Sequence, residues 1–372
     1  MVAACVLVAV GMAPGGQWTV SSRGGPPSST KMARVGAYYF DGWAGPLDSP
    51  HLRGLTRGPF EGREPLSGWQ DDSAAVIDNQ LRWARQDGID YFVFDWYSHP
   101  ERTATPYLNS ALNHYRALTD HHDVGYALMY VNDHDWMVPV QDWKAVVDEW
   151  VSVDFRRPDY VRVGGKPLLI ILDVGWMGKA FDRTGGVEAA LSLLRETARA
   201  HGLPGVFVVG GAQISSKYPQ ISNQFLAGAS YDALTSYSYV YAYGQGAAPV
   251  QDGPLPYRDL IDVSTSIWTL CARASPIPYV PVVVAGWDPR PWGETIGGSM
   301  FWFERSPETF KSNVGAALKW LNANPGLQPD RGREAPLLLI QAWNEIGEGA
   351  YIVPTREDGD RYGIALRDAL HP

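Results

Sequence analysis

Short apolar runs recur along the chain, and most are followed by a stretch with helical periodicity. Runs this short, bounded by Gly, Pro or Asp, read as buried strands rather than helices. The pattern predicts strands over 35–40, 91–94, 124–130, 166–172, 205–209, 232–236, 279–284 and 337–340. Apolar positions at helical spacing predict helices over 71–87, 107–119, 142–153, 187–200, 257–274, 307–322 and 358–370. Asp71-Asp72-Ser73 offers an N-cap for the first helix, and Gly88 stops it. Most of the strand runs are near-continuous Val, Ile, Leu and Phe, which suits parallel strands covered on both faces. Strands alternating with helices in this number predict the α/β class and a single (β/α)8 TIM barrel with long loops at its C-terminal mouth. The barrel is expected to occupy residues 34–372, with no internal repeat and no second domain. A doubly wound open sheet is disfavoured, because no glycine-rich phosphate fingerprint follows the first strand.

A barrel gathers the residues at the C-terminal ends of its strands around one mouth. Here those positions hold Asp41, Trp43, Asp95, Trp96, Asn132, Asp133, Asp173, Tyr237, Asp288, Arg290, Glu345 and Glu348. The last strand carries the strongest signal. It ends in Trp343-Asn344-Glu345-Ile346-Gly347-Glu348-Gly349, where two acids stand three residues apart beside glycines. If that turn is briefly helical, both carboxylates point the same way and face one ligand. The competing reading is a solvated loop with two ordinary surface acids.

Composition narrows the functions. Of the 372 residues, 45% are hydrophobic and 19% charged, which is globular. A net charge of −9 and a pI of about 5.4 leave no basic stripe for nucleic acid or an anionic membrane surface. The 15 Trp and 19 Tyr are either core or flat faces for sugars, and several fall at strand ends. Cys5 and Cys271 form neither a disulfide framework nor a metal pattern, and Cys271 reads as a small buried hydrophobe. Residues 1–33 read as a leader or flexible segment, a truncated signal peptide too short to span a bilayer, and this favours export. His51, His99 and His134 are isolated, and no metalloprotease-type histidine pair occurs. Asp133-His134-Asp135 is read as a hydrogen-bonded loop in preference to an ion site. No Gly-x-Ser-x-Gly elbow or phosphate-binding loop is present, so neither a metal nor a cofactor is expected. A mouth of carboxylates and aromatics suits glycosidic bond cleavage, which needs a proton donor to the leaving oxygen and a second carboxylate near the anomeric carbon.

The stretch Trp343-Asn344-Glu345-Ile346-Gly347-Glu348-Gly349-Ala350-Tyr351-Ile352-Val353-Pro354-Thr355 resembles the WNEWxEGxxIEP-type signature of family 99-like glycoside hydrolases. That group also includes WbsX-type proteins labelled as glycosyltransferases of polysaccharide gene clusters. The likeness extends to Gly36-Ala37-Tyr38-Tyr39-Phe40 with Trp43, and to Gly88-Ile89-Asp90 leading into Asp95-Trp96. It also takes in Tyr130-Val131-Asn132-Asp133, and Ala285-Gly286-Trp287-Asp288 with Arg290. The resemblance implies a (β/α)8 barrel and retaining cleavage of α-mannosidic linkages in a polysaccharide or glycan. It implies that Glu345 acts on the sugar 2-hydroxyl and that Glu348 is the acid/base. Asn344, Trp343, Tyr39, Trp43, Asp95, Trp96, Asn132, Asp133, Tyr237, Trp287, Asp288 and Arg290 are the expected substrate-binding set. The chain departs from the signature at Ile346 and Gly347, which replace an aromatic and a His or Tyr, and at Val353, which replaces an acid. The expected partner is an oligo- or polysaccharide, with no nucleic acid, no membrane insertion and a monomeric chain. Two alternatives stand beside the hydrolase: a WbsX-type glycosyltransferase of polysaccharide biosynthesis, disfavoured for want of a phosphate cradle, and a non-catalytic carbohydrate-binding barrel.

Overall fold

A computed structural model describes residues 31–133, 136–212, 231–244, 250–274, 277–329 and 334–371. Residues 1–30 of the expected leader, with Cys5, and the pair His134 and Asp135 lie outside the described residues. Eight parallel strands form the centre: β1 Arg34–Tyr39, β2 Tyr91–Trp96, β3 Gly125–Tyr130, β4 Lys166–Ile171, β5 Phe207–Gly211, β6 Ala233–Thr235, β7 Val282–Val284 and β8 Leu337–Gln341. Each pairs with its sequence neighbour through β6, and β8 lies between β1 and β7. The register runs Gly36 beside Tyr91, Arg34 beside Leu337 and Leu339 beside Val282. The last seam closes just before β7. The Leu234 N–H donates to the Pro278 carbonyl at 2.8 Å, and the Val280 N–H donates to the Leu234 carbonyl at 2.8 Å. The result is the (β/α)8 barrel that the alternating pattern predicts.

Local chemistry explains the elements. Helix α1, Ala74–Asp87, begins where Ser73 accepts the Val76 N–H and ends at Gly88, whose φ of 93° only glycine adopts easily. Helix α2, Ser110–Ala117, is capped from outside its own segment: the Asp41 carboxylate accepts the Ala111 and Leu112 N–H groups at 2.9 and 2.8 Å. Helix α3, Trp143–Glu149, runs on into a π turn over Trp150–Asp154. The pattern gave no helix directly after the fourth strand, yet α4 spans Val174–Phe181 there. Asp173, expected at the mouth, is its N-cap and accepts the N–H groups of Gly175 and Trp176 at 2.6 and 2.9 Å. Gly36 is needed for a close approach. A Cβ there would come within 2.4 Å of the Tyr91 ring, which leans across from the neighbouring strand. Among the described residues, no helix is long and apolar enough to cross a membrane.

Candidate active site

The C-terminal mouth of the barrel holds a cavity of about 400 Å³. The strand pleat decides which side chains reach it, because successive residues point to opposite faces. From the end of β2 it takes Asp95 and Tyr97, and from β3 it takes Met129, Val131 and Asp133. The residues between them turn outward. Trp96 packs edge-on against Trp150 of the helical layer at 5.0 Å, and the Tyr130 hydroxyl donates to the Met137 sulfur. Phe40, His51, Leu172, Tyr237, Trp292, Glu294 and Glu345 supply much of the remaining wall.

Both motif glutamates come from one hairpin. Asn344–Glu345 pairs antiparallel with Ala350–Tyr351, and the turn over 346–349 carries Glu348. Asn344 fixes this hairpin to the end of β1. Its Oδ1 accepts the Phe40 N–H at 2.8 Å, its Nδ2 donates to the Phe40 carbonyl at 3.0 Å, and its own carbonyl accepts Trp43 Nε1–H at 2.9 Å. The side-chain amide thus pairs with a main-chain amide as a neighbouring strand would.

Glu345 is buried. Its Oε1 accepts the Tyr237 hydroxyl at 2.7 Å, while its Oε2 is buried with no partner. Burial pushes the carboxyl up to about 8; the Tyr237 bond opposes that rise and the Asp95 charge adds to it. Glu348 is half-buried and accepts from Gln341 Nε2 at 3.1 Å. Burial, and after it the Glu345 charge, raises Glu348 well above the ordinary carboxyl range. Asp95 is buried, its Oδ1 lacks a partner, and burial with the nearby Asp41, Glu348 and Asp133 charges also drives it far up. Burial lowers His51, against the opposing effect of its Nδ1 hydrogen bond to the Gly42 carbonyl at 3.1 Å.

Arg290 grips Asp288 in a bidentate pair, Nε to Oδ1 and Nη2 to Oδ2, both at 2.7 Å. Arg63 reaches the same carboxylate from the other side and also donates to the Ile346 carbonyl at 3.1 Å. Burial works against the Asp288 charge, but the bond from Arg290 and the charges of Arg63 and Arg290 hold it below the ordinary range. The Asp288 N–H donates to the Glu348 carbonyl at 2.5 Å, and with the Arg63 bond to Ile346 this ties the loop after β7 to the hairpin.

Of the expected substrate-binding residues, Asp95, Asp133 and Tyr237 line the cavity together with Glu345. The others are placed elsewhere. Tyr39 is fully buried and donates to Asp71 at 3.1 Å. Trp343 faces the helical layer, with Nε1 on Gln80 at 2.9 Å. Asn132 pairs with the main chain of Asp173, donating and accepting at 2.8 Å, just as Asn344 does with Phe40. Trp43, Trp96 and Trp287 are 2%, 5% and 1% exposed, which leaves almost no face for a ligand. Asp288 is buried and takes both bonds of the exposed Arg290. Sequence reasoning passed over Tyr97, His51, Trp136, Trp292 and Glu294, all of which line the cavity. For Tyr97 the signal was present, since it stands two residues beyond Asp95, just past the end of β2. Among the described residues, no group of three or more His, Cys, Asp and Glu is arranged to hold a metal ion.

Residues 68–365 match the family model described as "Glycosyltransferase WbsX". No curated protein matches the sequence. A solved "Glycoside hydrolase-like protein" superposes with a TM-score of 0.65 at 16% identity, covering 94% of this chain and 97% of that one. The GH99 endo-alpha-mannosidase from Bacteroides thetaiotaomicron superposes with a TM-score of 0.58 at 15% identity, covering 92% and 97%. At these identities the likeness is one of fold.

Proposed function

The chain belongs to the WbsX family, and from that premise we propose that it is a glycoside hydrolase acting on a neutral oligo- or polysaccharide through Glu345 and Glu348. One observation carries the reading. Glu345 stands in the cavity wall with one oxygen held by Tyr237 and the other buried and unpartnered, and Glu348 lies on the same hairpin. An unsatisfied buried carboxylate oxygen is costly unless a ligand completes it.

The arrangement favours participation by the substrate's own hydroxyl. A retaining pair that attacks directly flanks the bond with carboxyls about 5–5.5 Å apart. Two glutamates on one short hairpin approach the ring from one direction instead. In our reading Glu345 takes the proton of the 2-hydroxyl while O2 attacks the anomeric carbon. Glu348 gives its proton to the departing oxygen, which leaves a 1,2-anhydro sugar. Water then attacks the anomeric carbon and loses a proton to Glu348, and O2 recovers its proton from Glu345. Two inversions give net retention. The attack requires O2 anti to the leaving oxygen, which an α-mannoside provides.

The acid-lined wall supports a neutral substrate. Asp95, Asp133, Glu294 and Glu345 face the cavity, against the exposed Arg53. A nucleotide diphosphate would find little positive charge there to pair with its phosphates. The family description favours the second reading, a glycosyltransferase. Release of reducing sugar from a polysaccharide panel supports the hydrolase. Turnover of sugar nucleotides without such release supports the transferase and overturns our reading.

A further inference from the structure

We infer that Trp292 is the platform on which the substrate's sugar ring docks beside Glu345, and that residue 347 is glycine in order to seat it; the platform role rests on the glycosidase reading above. Trp292 lies in the loop after β7 and reaches across to the hairpin after β8. A Cβ on residue 347 would stand 2.2–2.4 Å from Cε2, Cζ2 and Nε1 of the Trp292 indole, so the bare Gly347 main chain lies against that ring. Conformation does not demand glycine at 347. Its φ is not in the left-handed region, whereas Gly349, two residues on, has φ 66°. Space for the indole is the reason that remains.

The ring is held and still available. Phe40 meets it edge-on at 6.2 Å, and His51 lies tilted at 6.4 Å. Trp292 Nε1 donates to the His51 carbonyl at 3.4 Å. Trp292 is only half-buried and lines the cavity, unlike Trp43, Trp287 and Trp343, which are buried in the packing. The support beneath is stiff: the Asp288 N–H holds the Glu348 carbonyl, and Arg63 spans the carbonyls of Asp288 and Ile346. The wall is thereby registered against both glutamates. A flat ring with few torsions loses little entropy on stacking against the C–H face of a pyranose. Any side chain at 347 must push the indole from its seat.

The test uses the full chain, a panel of neutral manno- and gluco-oligosaccharides, calorimetric binding and steady-state kinetics. Trp292→Ala should weaken binding about tenfold and raise KM more than it lowers kcat. Trp292→Phe should recover most of the loss. Gly347→Ala should reproduce the loss in the wild-type background but add little to Trp292→Ala, since both act on one contact. Unchanged binding by Trp292→Ala in a chain that still cleaves the glycan overturns the platform and leaves the glycosidase standing. A full additive effect of Gly347→Ala on Trp292→Ala overturns the pairing. A wild-type chain that neither binds nor cleaves any glycan of the panel overturns both readings together.

Discussion

The Tyr237 hydroxyl donates a 2.7 Å hydrogen bond to Oε1 of Glu345. The two residues follow β6 and β8, and they meet only because the barrel brings those strand ends to one mouth. The bond favours the ionised form of a carboxyl that burial, despite that bond, pushes up to about 8. Charge on Glu345 in turn helps keep the proton on Glu348. One hydroxyl therefore helps to assign base and acid within the pair.

If Glu345 must be ionised to act, kcat/KM of the free enzyme rises with pH along a limb near 8. Tyr237→Phe removes a donor that lowers this pKa, so the limb moves to higher pH. A pH–rate profile of both proteins checks the direction. An unmoved limb would separate Tyr237 from the titration.

Asn344 is expected to act through the fold. Asn344→Ala orphans the N–H and carbonyl of Phe40, at a cost of about 1–3 kcal/mol for each buried group left unsatisfied. Trp43→Ala empties a buried site and should lose about 3–5 kcal/mol. Calorimetric unfolding measures both. Retained stability together with weakened sugar binding would return either residue to the substrate-binding set.

The barrel is legible in the sequence because parallel strands covered on both faces leave unbroken apolar runs, as in 166–172 and 337–340. Two acids beside two glycines at a strand end single out Glu345 and Glu348 in the sequence, and the structure puts Glu345 in the cavity wall with Glu348 on the same hairpin. The aromatic residues are harder to assign. Asp95 and Trp96 are neighbours in sequence, yet the pleat sends one into the cavity and the other into the helical layer. Asn132 and Asn344 look like ligand contacts but spend their amides on main chain across a strand gap. The departure at Gly347 is visible in the sequence. Its partner is not, because nothing near position 292 says where the indole reaches.

Asp87 gives a pH test outside the mouth. It is buried near the C-terminal helix Arg361–Leu370, its Oδ2 has no partner, and burial raises its carboxyl to about 7 from 3.8. The folded state then holds this proton more tightly than the unfolded chain. Its contribution to stability is fully present below pH 3.8 and is lost as pH rises through 7. Asp87→Asn should flatten the fall in melting temperature across that window. An unchanged slope would show that the carboxyl does not titrate there.

The proposed glycosidic cleavage assigns Glu345 and Glu348 different roles. Its most direct test is sugar release from two substrates sharing one glycone, a natural oligosaccharide and a glycoside with an activated aryl leaving group. Both are measured with wild type, Glu345→Gln and Glu348→Gln, each shown to be folded. Wild type should release sugar from both, and Glu345→Gln from neither. Glu348→Gln should fail on the oligosaccharide and keep part of its rate on the aryl glycoside, which needs no proton to leave. Undiminished release by folded Glu345→Gln, or a covalent glycosyl ester trapped on either glutamate, would contradict the account.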